Sequence, residues 1–88
     1  MEHIQNGKRA LVQDRLNDAQ THFRAAEKIY PKGKKAVEGL ALALARQCWE
    51  KDRNCEEAKY WLKHAITKLE KNDELWAYLN VIQKKPPV

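Results

Sequence analysis

The chain has 88 residues, with 17 Lys and Arg against 12 Asp and Glu, for a net charge of +5. That length allows one domain with a small core; no run approaches the ~18 apolar residues of a membrane span, and the N-terminus carries no signal-peptide core. Three glycines, three prolines and a supply of Ala, Leu, Lys, Glu and Arg favour helix throughout, and two cysteines are too few for a disulfide scaffold.

The spacing predicts five helices in chain order. The first runs from about His3 to Arg15; Asn6-Gly7 is a hairpin dipeptide but lies inside this helical pattern. Asn17-Asp18 is expected to cap the second, with Gln20 in a capping-box-like position. Within it Ala19, Phe23 and Ala26 fall at i, i+4 and i+7, one stripe of a helix. The small residues let a neighbouring helix approach, and Phe23 fills the gap between them. Pro31 ends the helix, since proline has no N–H and disfavours helical geometry at Tyr30.

Pro31-Lys32-Gly33 reads as a turn. A third helix follows from about Lys35 to Lys51, with Val37, Leu40, Ala41 and Leu44 on one face. Asp52-Arg53-Asn54 breaks it. Asn54 with Glu57 makes a capping box for a fourth helix that ends near Lys71, with Ala58, Trp61, Leu62, Ala65 and Leu69 as its apolar stripe. Asn72 caps a fifth helix, followed by two carboxylates suited to the positive end of its dipole. It runs to about Lys84, and Pro86-Pro87 stops it. Short turns between five helices imply antiparallel neighbours. Cys48 and Cys55 match no zinc or redox spacing. Free thiols are the expectation, with a disulfide across the Lys51–Asn54 turn as the alternative.

The hairpins repeat. Ala19-x₃-Phe23-x₂-Ala26-x₄-Pro31, with Gly7 at the small position of the preceding helix, resembles the tetratricopeptide repeat family. The echo in unit two is Leu40-Ala41-x₂-Leu44 followed by Ala58-x₃-Leu62-x₂-Ala65, with Glu70 where proline ends a unit. A third unit opens with Trp76-x₂-Leu79. The interval from Ala19 to Ala58 exceeds the family's ~34-residue repeat by about one helical turn, placed between Ala45 and Asn54. The resemblance implies an all-α, right-handed α-solenoid of antiparallel hairpins, two and a half repeats long. Residues 1–33 form unit one, 34–71 unit two and 72–85 a half unit, all in a single domain, with 86–88 as a tail. An unrelated five-helix bundle is the alternative.

Catalytic chemistry has little to stand on. There is no serine, and the two threonines, Thr21 and Thr67, each sit on a second helix. His3, His22 and His64 lack a ligand spacing. Gly7-Lys8 and Gly33-Lys34 lack the phosphate-loop frame, and Glu56-Glu57 and Asp73-Glu74 read as helix-start charges. The expectation is a protein that is not an enzyme, takes no cofactor or metal, and resides in the cytoplasm.

The resemblance implies a binding module, since first helices of such units line a concave groove for a peptide or helix. That face would carry Ile4, Lys8, Leu11 and Val12; then Glu38, Leu42, Ala45 and Arg46; then Ala77, Val81 and Lys84. Its expected partner is another protein, presenting a peptide or amphipathic helix whose carboxylates lie near Lys8, Arg46 and Lys84. The fifth helix is apolar on more than one side, so Tyr78, Val81 and Ile82 are expected to cover a partner or a second copy. Two other readings stand. One is a small secretion- or assembly-system chaperone of this repeat type. The other is nucleic-acid binding through Lys32, Lys34, Lys35, Lys84 and Lys85, against which the basic residues are dispersed and no recognition motif accompanies them.

Overall fold

A computed structural model describes residues 2–30, 33–69 and 73–84. It is all-helical. The elements are α1 (Glu2–Val12), α2 (Leu16–Ile29), α3 (Lys34–Lys51), α4 (Cys55–Lys68) and α5 (Asp73–Lys84), and no strand occurs among the described residues. The expected features at Pro31, Glu70, Asn72, Pro86-Pro87 and the 86–88 tail lie outside the described residues.

Helix α3 is the centre. It packs against α1, α2, α4 and α5, while the other close pairs are the successive α1–α2 and α4–α5. Its composition explains this. Val37, Leu40, Ala41, Ala43, Leu44, Ala45 and Cys48 are all fully buried, so α3 is apolar around most of its circumference. Such a helix needs neighbours on several sides. At 18 residues it is also the longest of the five.

The Ala19–Phe23–Ala26 stripe of α2 faces inward with no residue more than 1% exposed. Phe23 lies between α1 and α3, because a Cβ built on Gly7 would meet its ring at 2.7 Å and one on Gly39 would come closer still. Both glycines are there to admit the ring. Ala58, Leu62 and Ala65 of α4 repeat the pattern, and Leu75, Leu79 and Ile82 of α5 close the core.

Several expected end signals are replaced. Helix α2 begins at Leu16 with Arg15 at its N-cap, and no side chain caps it. Asn54 does precede α4, but it is left-handed (φ 57°) and its side chain makes no cap bond. Both amides belong instead to a network around Gln47. Its Oε1 accepts from Gln20 Nε2 at 2.9 Å and from Asn54 Nδ2 at 2.7 Å, and its Nε2 donates to Asn17 Oδ1 at 3.0 Å. Gln20 and Gln47 are themselves buried, so these bonds offset the cost of desolvating two amides.

The free-thiol expectation is overturned. Cys48 and Cys55 form a disulfide with an S–S distance of 2.15 Å. The α3–α4 turn explains the pairing. Asp52 and Asn54 both take left-handed backbone, which Asp and Asn tolerate better than most residues. The reversal brings the two cysteine Cα atoms to 4.9 Å, within the span that a disulfide bridges.

Candidate functional site

Helices α1, α3 and α5 meet around a cavity of about 290 Å³, lined by Leu11, Leu42, Arg46, Glu74 and Tyr78. Leu11 and Leu42 are half-buried, which leaves apolar surface at the mouth. Arg46 closes one side. Its guanidinium donates to the Leu11 carbonyl at 2.8 Å and to Asp14 Oδ1 at 2.9 Å. The Leu11 carbonyl, in the last turn of α1, also accepts from the Asp14 N–H at 3.1 Å, so Arg46 takes its second lone pair. Arg46 therefore fixes α1 against α3 rather than standing free in the groove.

Tyr78 faces Arg46 from α5. Burial holds its hydroxyl above the ordinary tyrosine value of 10.0; Arg46 pulls in the opposite direction, while Glu74 and Glu50 add to the rise. The phenol thus stays protonated at neutral pH and keeps a hydrogen-bond donor at the cavity wall.

A second cavity, of about 380 Å³, opens between α1, the end of α2 and the start of α3. Ile4, Ala26, Ala36 and Tyr30 supply its apolar surface. Lys8, Lys34 and Lys35, all exposed, stand on its rim, and among the described residues no carboxylate lines it.

Of the residues expected on the binding face, the structure brings Leu11, Leu42 and Arg46 to one cavity and Ile4 and Lys8 to the other. Val12 is 87% exposed and lines neither. Glu38 is half-buried on α3, and Ala77, Val81 and Lys84 are exposed on α5; none of them lines either cavity. Ala45 is fully buried core, which removes it from any groove. The contribution of α5 comes from Glu74 and Tyr78, one turn apart on the same face. Tyr30, Lys34 and Lys35 also join the site. Tyr30 reads in the sequence only as the end of α2, and Lys34 and Lys35 only as phosphate contacts of the nucleic-acid alternative.

The expected self-association patch divides. Ile82 is core at 1% exposure, Tyr78 is half-buried beside Arg46, and Val81 is the open member.

The histidines are paired or stacked. His3 and His22 bring their Nδ1 atoms to 3.2 Å across the α1–α2 hairpin. His64 stacks on Tyr60 and meets Trp61 edge-on along α4. Among the described residues no three His, Cys, Asp or Glu side chains converge as metal ligands. Thr21 and Thr67 spend their hydroxyls on carbonyls one turn back, those of Asn17 and Lys63. No helix of the described residues is long and apolar enough to cross a membrane.

No protein-family model, curated protein or solved structure matches this chain.

Proposed function

We propose that the chain is a non-catalytic protein-interaction module that holds a peptide or amphipathic helix of a partner protein against the face shared by α1, α3 and α5. In this reading the hairpins stack right-handedly in the manner of tetratricopeptide repeats. The pairing of α3 with every other helix, and the Ala19–Phe23–Ala26 stripe with its echo at Ala58–Leu62–Ala65, support that arrangement.

The observation that carries the binding reading is the meeting of Leu11 and Leu42 at one cavity mouth, walled by Arg46 and Tyr78. Half-exposed apolar side chains beside fixed polar groups suit an apolar anchor residue with an oriented backbone around it. Affinity capture from the native host tests this, with wild-type chain compared against Leu42→Asp. Tyr60→Ala, on the exposed aromatic surface of α4, serves as the control. A partner lost with Leu42→Asp and retained with Tyr60→Ala is the expected result, with unchanged helical circular dichroism in both. A partner retained equally by Leu42→Asp places the contact elsewhere.

A further inference from the structure

The two cavities share α1 and α3 but differ in charge. One carries Lys8, Lys34 and Lys35 around an apolar floor, with no carboxylate lining it among the described residues. The other offers Leu11 and Leu42 together with Glu74. Its cation, Arg46, already serves Asp14 and the Leu11 carbonyl. A carboxylate arriving at the second cavity meets Glu74 and a guanidinium in use. A carboxylate arriving at the first meets three solvent-facing ammonium groups.

We propose that the ligand of this face is a polarised peptide segment of a partner protein, with an acidic residue seated at Lys8, Lys34 and Lys35 and a large apolar side chain seated between Leu11 and Leu42. This rests on the binding reading above and adds the ligand's chemistry and the spacing of its two anchors. The spacing follows from α3. Lys35 lines one cavity and Leu42 the other, and a helix rises 1.5 Å per residue, so the two lie about 10 Å apart along the helix. An extended chain covers that distance in about three residues. The recognised pattern is an Asp or Glu about three positions from a Leu, Ile, Phe or Met. The rim lysines contribute selectivity more than affinity, because part-exposed ion pairs are individually weak.

The test is selection of a displayed library of random 12-residue peptides on the intact, disulfide-bonded chain. In parallel, the same library is selected on Lys8→Glu/Lys35→Glu and on Leu42→Asp, each first matched to wild type by circular dichroism. Wild type is expected to enrich peptides pairing Asp or Glu with an apolar residue at the stated spacing. The double charge reversal is expected to enrich Lys or Arg at the same position while keeping the apolar residue. It should weaken a wild-type-selected peptide about tenfold, and exchanging that peptide's carboxylate for lysine should restore binding. Apolar peptides enriched without any acidic preference, or a preference that survives the charge reversal, overturn the proposed polarity and leave the binding face standing. Enrichment that is unaffected by Leu42→Asp, or no enrichment on wild type, overturns the binding face as well.

Discussion

The ring of Phe23 occupies the space that a side chain on Gly39 would fill. The contact joins α2 to α3 at closer range than any alanine permits, and Gly7 makes the same allowance from α1. Glycine in a helix interior costs roughly 1 kcal/mol relative to alanine, and the ring's burial offsets that cost.

Gly39→Ala is therefore expected to destabilise the chain although it raises helix propensity. Overpacking of ~1–3 kcal/mol offsets and exceeds the propensity gain of roughly 1 kcal/mol, for a net loss of up to about 2 kcal/mol. Gly39→Ala combined with Phe23→Leu should cost less than the sum of the two single changes, because the smaller side chain makes room. Urea denaturation of the four proteins measures this, and strict additivity would show that the contact carries no coupling.

Gln47→Leu should cost about 2 kcal/mol, the usual penalty for leaving buried polar groups unpaired. The change removes the acceptor that Gln20 and Asn54 share. Adding Gln20→Leu should recover part of the loss by removing a stranded buried amide. A Gln47→Leu chain as stable as wild type would contradict the network.

How much was legible in the sequence follows from these two sites. The Phe23 stripe was visible because local periodicity reports which face of a helix is apolar. The partner glycine at position 39 was not, because nothing local says which residue of α3 lies over the ring. The caps failed for a related reason. Asn17 and Asn54 have the right chemistry for capping, yet their amides are claimed by Gln47 from 30 and 7 positions away. Leu11, Leu42 and Arg46 were expected on one face only through the repeat resemblance, because spacing within one helix does not say which residues of another lie beside it. The part taken by Glu74 and Tyr78 depended on the register of α5 against α3, which tertiary packing sets.

Reduction of the Cys48–Cys55 bond should lower stability by about 2–3 kcal/mol, the chain-entropy value for a short closed loop. The closed loop is small, with a sequence separation of 7. Thermal melts of the oxidised chain before and after a phosphine reductant measure the effect. The Cys48→Ala/Cys55→Ala chain should ignore the reductant, and equal melts for the oxidised and reduced wild type would contradict the cross-link.

Alkaline pH should unfold the chain partly through Tyr78. Its folded-state pKa lies above the ordinary 10.0 because burial disfavours the phenolate. The folded state thus favours the proton, so this contribution is complete below pH ~10 and is lost as pH rises through the raised value. Tyr78→Phe should remove that component of the pH dependence. Urea midpoints at pH 9 and pH 11 for both chains test it, and identical slopes would contradict the burial.

Helix α3 touches all four other helices, while among the described residues the backbones of the α1–α2 and α4–α5 pairs stay apart from each other; a long side chain reaches across where Arg24 pairs with Glu57. In the language of hydrogen exchange, α3 is expected to be the last unit to open. The walls of the groove, α1 and α5, are the helices that touch α3 least, so their amides are expected to exchange earlier. A ligand bridging those walls would register as slowed exchange at both ends of the chain together.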